Sequence, residues 1–350
     1  MRINDLLDTA QLGEEIKVGY VTERYHPEFP ELAILNYTDK CQFDRNWNDV
    51  TMLTRGLIYN RDSGEILARP FPKFFNYGDP NAGQLDLDMP ILSAHDKLDG
   101  SLGIAYVRPD GKVAIATRGS FVSEQAIHAT ERLTRYDAED IAEFANLGLT
   151  QLFEIVYPDN RIVLDYGDRD ELVYLGRVDD STGRFYPVCT SGEDIFGGTL
   201  RDVLEREPRK NAEGFVVWLN RTTAIKIKQA DYIALHRIVS NLSVKEVWRQ
   251  LRDGTFDEFV VALPDEFYDW ANKASDELLA QHDGIMATAV HAKHDLLAQN
   301  LATRKEQALW IQANVPADLR GLVFGLLDGK EITPAIWRMI EPKGVNGDHD

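Results

Sequence analysis

The sequence predicts an α+β protein in which antiparallel sheets with flanking helices precede an all-helical region. Between about residues 18 and 228, short apolar and aromatic runs alternate with Gly, Pro, Asn and Asp turn signals, as in strands joined by hairpins. From about Asp231 onward, apolar residues recur at helical spacing, and glycine and β-branched residues become rarer in the long central part.

An amphipathic helix is predicted over residues 1–16, because Leu6, Leu7, Ala10 and Ile16 would share one face. Apolar runs bounded by turn residues then predict strands, and capped periodic stretches predict helices. The predicted strands cover residues 33–37, 57–59, 65–69, 102–108, 112–117, 151–157, 171–178, 213–219 and 223–228. The predicted helices cover residues 123–133, 138–147, 200–206, 244–251, 266–300, 304–313, 317–327 and 334–340.

Composition and charge narrow the class of protein. The 350 residues are 44% hydrophobic, which is enough for a sizeable core and for two domains. The net charge of −19 argues against a broad, nonspecific nucleic-acid surface but allows a local basic groove. We expect no membrane span and no signal peptide. Cys41 and Cys189 show neither metal spacing nor a disulfide framework, so we expect a reducing, cytoplasmic location, in the host cytoplasm if a phage encodes the chain.

The stretch Lys97-Leu98-Asp99-Gly100-Ser101 is the first candidate for chemistry. In an extended segment Lys97 and Asp99 would point to the same side, and Gly100 would permit a tight bend or a close approach to a ligand. This pattern suits a lysine nucleophile that attacks phosphorus beside a carboxylate. The alternative interpretation is a solvated lysine before a hairpin turn, since Asp-Gly is a common turn signal.

Other charged residues stand at predicted strand ends or on one strand face. The basic ones are Arg55, Lys73, Arg118, Lys226 and Lys228, and the acidic ones are Glu154 and Glu213. An unpaired, buried Glu154 would be costly, so it needs a partner or faces a site. Lys226 and Lys228 share a strand face, where either an anion or water must offset their repulsion. Lys73 lies among phenylalanines and prolines, either solvated at a core corner or aimed at an anion.

Such a set is expected where one sheet-lined cleft holds a polyphosphate and a divalent cation. The cations would neutralise charge that develops on a phosphoryl group, and the carboxylates would hold magnesium. The sequence contains neither a Gly-x-x-x-x-Gly-Lys-Ser/Thr loop nor a kinase-type glycine loop. A lysine must then act as a nucleophile or a clamp, and crowding by other cations would make it lose its proton more easily.

In this order the segments resemble the bacteriophage-type RNA ligase 1 family, within the covalent nucleotidyltransferase superfamily of RNA ligases, DNA ligases and capping enzymes. The matching segments are Arg55-Gly56, Arg69-Pro70-x-x-Lys73-Phe74-Phe75-Asn76, Lys97-x-Asp99-Gly100-Ser101-Leu102, Gly119-Ser120-x-x-Ser123-Glu124-Gln125-Ala126, Phe153-Glu154, Asn160-Arg161-Ile162-Val163-Leu164, Glu213-Gly214-Phe215-Val216, and Lys226-Ile227-Lys228 followed by Tyr232 and Leu235-His236. One Lys-x-Asp-Gly is weak evidence, whereas ordered motifs across residues 33–236 are strong evidence.

The resemblance implies three steps. Lys97 attacks the α-phosphorus of ATP to form lysyl-AMP, AMP moves to an RNA 5′-phosphate, and a 3′-hydroxyl then displaces AMP. By matching position, ATP would be bound by Tyr37, Arg55, Lys73, Asp99, Arg118, Glu154, Lys226 and Lys228, and Mg²⁺ or Mn²⁺ by Glu154 and Glu213. Arg118 departs from the family, which usually has lysine there, and a guanidinium makes different contacts.

The resemblance also implies a nucleotidyltransferase fold with ATP-grasp-like sheets. Residues 1–236 would form the adenylyltransferase domain, and residues 237–350 a helical domain linked to substrate choice. The expected partners are RNA with 5′-phosphate and 3′-hydroxyl ends, with cleaved tRNA as one candidate in RNA repair, and an upstream polynucleotide kinase/phosphatase. The alternatives are a DNA ligase or capping enzyme, which would show a β-rich OB module after the first domain, and a noncatalytic nucleotide- or RNA-binding protein.

Overall fold

The computed structural model describes residues 1–160, 163–189, 192–239, 242–264 and 267–342. It divides into two compact units, Met1–Val239 and Ser240–Asp350. In the first unit, antiparallel sheets combine with helices, and the described residues of the second form helices and turns without a strand. The predicted α+β class with a helical C-terminal part is therefore confirmed. One pair of short strands is parallel, which the hairpin pattern did not predict.

The strands all lie in the first unit, among the described residues: β1 (Val21–Tyr25), β2 (Leu32–Tyr37), β3 (Arg55–Asn60), β4 (Ile66–Ala68), β5 (Phe75–Asn76), β6 (Ser93–Asp96), β7 (Ser101–Val107), β8 (Val113–Ala116), β9 (Leu149–Val156), β10 (Glu171–Asp179), β11 (Phe185–Pro187), β12 (Ile195–Phe196), β13 (Gly214–Trp218) and β14 (Ala224–Lys228). The helices of this unit are α1 (Ile3–Leu6), α2 (Thr9–Val18), α3 (Asp39–Phe43), α4 (Asp49–Leu53), α5 (Glu124–Arg132), α6 (Arg135–Asn146), α7 (Leu200–Leu204) and α8 (Ala230–Val239).

The single N-terminal helix predicted over residues 1–16 is wrong, because the chain forms two helices there. The carboxylate of Asp8 accepts hydrogen bonds from the backbone amides of Ala10 and Gln11, and this cap starts a new helix. As a result Ala10 is exposed, whereas Leu12 is buried in the core with Leu7.

The strands form three sheets. The first sheet has the order β1-β2-β3-β4, the second β11-β10-β9-β7-β8, and the third, here called the Lys97 sheet, β12-β6-β13-β14-β5. One apolar cluster draws on all three, with Ile58 from the first sheet, Ile104 from the second and Trp218 from the Lys97 sheet. The sheets therefore pack against one another, and the ends of their strands can supply side chains to one site.

The second unit is helical over its described residues: α9 (Val244–Asp253), α10 (Phe256–Val261), α11 (Tyr268–Ala298), α12 (Arg304–Asn314), α13 (Arg320–Leu327) and α14 (Thr333–Met339). Two apolar clusters hold it together, one around Val323 and Ile336 and the other around Val247 and Trp248. The predicted start at Glu266 lies outside the described residues. Of the helices the structure describes, none has both the length and the apolar composition needed to cross a bilayer.

Candidate active site around Lys97

Lys97 follows directly after β6, at the edge where that strand leaves the Lys97 sheet. Its backbone amide donates to the carbonyl of Gly214 at 2.9 Å, so the pairing of β6 with β13 extends to the lysine. The next residues, Asp99 and Gly100, form a bend before β7 begins at Ser101. Lys97 is thus held at a junction between the Lys97 sheet and the second sheet.

The ammonium group of Lys97 donates to Glu213 Oε2 at 2.8 Å, and Lys228 Nζ lies 3.3 Å from Glu213 Oε1. The carboxylate between the two lysines is 1% exposed. Gly214, which follows Glu213, has φ +143°, and a Cβ there would overlap the carbonyl of Ile227 on β14. This close approach pairs Gly214 with Lys228 and lets Glu213 reach both lysines.

Glu154 enters the same site from the second sheet. Its Oε1 accepts a hydrogen bond from the backbone amide of Gly100 at 3.1 Å. Burial raises the pKa of Glu154 to about 7, and the nearby Glu213 adds to this effect, while Lys97, Arg55 and the Gly100 amide oppose it. The partner that the sequence required for Glu154 is thus a backbone amide, with Lys97 and Arg55 close enough to act through charge.

Tyr37 and Arg118 form a second part of the site. Arg118 Nη1 donates to the hydroxyl of Tyr37 at 2.9 Å, and its guanidinium lies 4.9 Å from the ring centre. Burial raises the pKa of Tyr37, but the positive charges of Arg118, Lys73, Arg55 and Lys226 outweigh it and bring the pKa to about 8. Four sequence-predicted cations are therefore close enough to act on this phenol.

Arg55 connects the two parts of the site. Its guanidinium lies over Phe71 and Phe74, at 5.0 and 5.4 Å from the ring centres. Burial lowers the pKa of Arg55, whereas Tyr37 and Glu154 raise it. Its Nη1 is buried without a hydrogen-bond partner. A buried donor of this kind needs a partner, which water or a ligand can supply.

Lys73 is enclosed by aromatic rings. The phenylalanine-rich segment around it predicted some of these rings but not all of them. Its Nζ donates to Gln42 Oε1 at 3.0 Å and lies 5.1 Å from the ring centre of Trp47. Trp47 also meets Tyr37 edge to face. Sequence reasoning missed Gln42 and Trp47, because α3 and the loop after it carry no motif. The side-chain carbonyl oxygens of Asn36 and Asn76 are also buried without partners. Asn76 lies in a matched segment, but neither asparagine was predicted to be a site residue.

Asp99 has hydrogen-bond donors from the protein at both of its carboxylate oxygens. Its Oδ2 accepts hydrogen bonds from the backbone amides of Val163 and Leu164, both at 2.8 Å, and its Oδ1 accepts one from the hydroxyl of Tyr232 at 2.9 Å. The bend after Lys97 breaks the two-residue alternation that would have aimed Asp99 at a nucleotide. Asp99 instead fastens the Lys97 bend to α8. In the adjacent motif, Arg161 and Ile162 lie outside the described residues.

The acidic side chains of the site fit a divalent cation that also binds the phosphates of a nucleotide. In the described ranges, no three or more His, Cys, Asp and Glu side chains form a complete metal cage. Glu154 and Glu213 supply two carboxylates near Lys97. Magnesium commonly takes one or two carboxylates, keeps several waters and binds substrate phosphates, so two carboxylates are a suitable complement.

Comparison with known proteins shows which family and which relatives this chain resembles. Residues 53–190 match the model of the family described as RNA ligase. A candidate bifunctional polynucleotide kinase/RNA ligase of Autographa californica nuclear polyhedrosis virus is 28% identical over 71% of this chain and 39% of its own length. A candidate RNA ligase of Thermovibrio ammonificans is 30% identical over 46% of each chain.

Among solved structures, an archaeal ATP-dependent RNA ligase aligns over 80% of each chain with 15% identity and a TM-score of 0.45. The chain spans less than half the length of the two curated relatives given above. The resemblance to the RNA ligase family is confirmed over residues 53–190.

Proposed function

We propose that this protein is an ATP-dependent RNA ligase that joins RNA 3′-hydroxyl and 5′-phosphate ends. The observation that carries the proposal is the position of Lys97, whose side-chain nitrogen pairs with Glu213. Lys228 shares that carboxylate, and Glu154 and Arg55 lie close enough to act through charge. A lysine that lies beside buried carboxylates and other cations is suited to covalent chemistry at phosphorus, whereas a solvated surface lysine has no such neighbours.

In the first step, the ammonium group of Lys97 gives up a proton, for which Glu213 Oε2 is an acceptor at 2.8 Å. The free amine attacks the α-phosphorus of ATP, a P–N bond forms, and the P–O bond to pyrophosphate breaks. Arg55, Lys73, Lys226 and Lys228 would bind the phosphates. The divalent cation, held by Glu154 and Glu213, would supply positive charge to the phosphates.

Recognition of the nucleoside is proposed for the second part of the site. Tyr37 is held by Arg118 and would line the adenosine pocket, with Trp47 beside it. The unpaired polar atoms of Asn36, Arg55 and Asn76 would gain partners from bound nucleotide. This assignment leaves out Asp99, whose carboxylate already accepts three hydrogen bonds.

The second and third steps would use RNA. An oxygen of the RNA 5′-phosphate attacks the phosphorus of lysyl-AMP, so that a P–O bond forms and the P–N bond to Lys97 breaks. The 3′-hydroxyl then loses its proton and attacks the 5′-phosphorus, which releases AMP and leaves a phosphodiester. Each step exchanges one bond at phosphorus for another. The free energy of the ATP bond that breaks in the first step is therefore conserved until the strand is sealed.

We further propose that the helical residues after 236 select the RNA, with cleaved tRNA as one candidate substrate. The viral relative named for kinase and ligase activities supports an upstream kinase that supplies 5′-phosphate ends. We also propose a reducing, cytoplasmic location, because the sequence spacing of Cys41 and Cys189 suggests neither a metal site nor a disulfide framework.

The test is incubation of the full chain with α-labelled ATP and magnesium, followed by denaturing electrophoresis. We expect a covalent adenylate on the wild-type protein, none on Lys97→Ala, and a normal amount on Lys112→Ala, an exposed lysine in a turn. A panel of linear RNA, nicked duplex DNA and cleaved tRNA then tests sealing. A purified, folded chain without adduct would favour a noncatalytic binding protein, and a preference for GTP would favour a capping enzyme.

A further inference from the structure

The end of β6 is supported unequally by its two neighbours. On one side, β13 pairs with β6 from Ser93 to Asp96, and the pairing continues to Lys97. On the other side, β12 pairs only with Ser93 and Ala94. Residues on an antiparallel strand direct their amides alternately to either neighbour. The amide of Asp96, one residue before Lys97, therefore points to the side where β12 has already ended.

The carboxylate of Asp194 takes the place of the missing strand. Its Oδ1 accepts a hydrogen bond from the backbone amide of Asp96 at 3.1 Å, and its Oδ2 lies 3.0 Å from His95 Nδ1. The side chain of Asp194 is completely buried. One carboxylate thus holds both the backbone and a side chain of the last two residues before Lys97.

The same contacts continue to Ser93, whose Oγ lies 2.8 Å from His95 Nε2. The order Asp194–His95–Ser93 has the connectivity of a hydrolytic triad. Ser93 is completely buried, however, and β12 and β13 cover its strand on both sides. A substrate could not reach the hydroxyl, so we assign these three residues to the positioning of β6 and not to hydrolysis.

We propose that Asp194 is a positioning residue for Lys97, acting through the amide of Asp96 and the ring of His95; this proposal rests on the proposed function. Arg209 also restrains Asp96, because its guanidinium pairs with the Asp96 carboxylate. A lysine nucleophile must approach the α-phosphorus along a narrow path, and a displacement of about 1 Å can cost about 100-fold in rate.

The test compares Asp194→Ala with Asp194→Asn and with Asp180→Ala in the full chain. Asp180 is also buried and accepts a hydrogen bond from Thr150, but it lies outside the Lys97 site. In single-turnover assays at saturating ATP, we expect Asp194→Ala to form lysyl-AMP about 10- to 100-fold more slowly. Asp194→Asn keeps an oxygen for the Asp96 amide and should retain most of the rate, and Asp180→Ala should match the wild type.

Two further measurements separate positioning from general damage. In a Lys97→Ala background, which forms no adduct, Asp194→Ala should leave the Kd for ATP unchanged. Hydrogen exchange at the amide of Asp96 should become faster in Asp194→Ala and stay normal in Asp180→Ala. The proposal would be overturned if Asp194→Ala showed wild-type hydrogen exchange at Asp96 or a wild-type rate of adenylylation. It would also be overturned if Asp180→Ala lost as much rate as Asp194→Ala. Absence of any adduct on the wild type would overturn the proposed function, while the exchange measurement would still decide whether Asp194 holds β6.

Discussion

Lys97 and Glu213 lie 116 positions apart in the chain, yet the half-buried ammonium group and the buried carboxylate form an ion pair with an N–O distance of 2.8 Å. Lys228 completes the group from the far end of β14. Charge therefore helps to hold the candidate nucleophile in place. This arrangement can be measured through stability, titration and adduct formation.

Replacement of Glu213 should destabilise the first unit. Glu213→Gln keeps the shape of the side chain but leaves the ammonium groups of Lys97 and Lys228 without their shared anion, so we expect a loss of about 3 kcal/mol in the free energy of unfolding by urea. The matched control is Glu205→Gln, because Glu205 pairs with Arg201 on the exposed surface at 3.8 Å. A similar stability for Glu213→Gln and the wild type would contradict the buried ion pair.

The raised pKa of Glu154 predicts a pH dependence of stability. The unfolded carboxyl titrates near 4.3, whereas burial raises the folded pKa to about 7, so between these values the folded state binds more protons. Its contribution is complete below about pH 4.3 and is lost as pH rises to about 7, by up to about 3 kcal/mol. Urea unfolding of wild type and Glu154→Gln across this range gives the difference curve, and a flat curve would contradict the burial.

Tyr37 should ionise before the other tyrosines. Although burial opposes its ionisation, the surrounding cations lower the pKa to about 8. Absorbance near 295 nm, where tyrosinate absorbs, should therefore show about one of the 13 tyrosines titrating near pH 8. This transition should vanish in Tyr37→Phe and persist in Tyr136→Phe, whose ring is 83% exposed. Persistence in Tyr37→Phe would mean that another phenol is responsible.

The close approach of the Lys97 bend to β9 should not tolerate a side chain at Gly100. A Cβ at this position would lie 2.5 Å from the carbonyl oxygen of Ile155 and 3.1 Å from Glu154 Cγ, so the strand or the bend must move. We expect Gly100→Ala to cost about 1–3 kcal/mol of stability and to slow adenylate formation. Gly119→Ala is the control, because its Cβ would meet Asn36 Nδ2 at an ordinary 3.6 Å. Equal behaviour of the two variants would contradict the clash.

Much of the site could be predicted, because each motif sits where a strand begins or ends. Lys97 directly follows β6, Glu213 directly precedes β13, Lys228 ends β14, and Glu154 lies near the end of β9. Strand pairing and the Lys97 bend bring these positions together, so the charge pattern could be recognised without knowledge of the loops. The orientation of Asp99 could not be predicted, because alternation holds only within an extended strand. Its carboxylate oxygens accept hydrogen bonds from the amides of Val163 and Leu164 and from the hydroxyl of Tyr232, which are all distant in sequence.

The fold was predictable to a similar extent. Apolar alternation located most strands, but it could not show that the short strand β5 would pair in parallel with β14, since two residues carry no directional signal. The break at Asp8 needed recognition of a cap inside an otherwise amphipathic stretch. Trp47 and Gln42 enclose Lys73 through tertiary packing alone, so no local pattern identified them.

The position of β6 between β12 and β13 has a consequence for synthesis. A ribosome that adds about 5–20 residues per second needs roughly 6 to 23 s to reach Glu213 after it has made Lys97. Throughout that interval the nascent chain carries Lys97 without its ionic partner Glu213 and without the neighbouring strand β13. Adenylylation competence would therefore arise late in translation, and prematurely released polypeptides would consume no nucleotide.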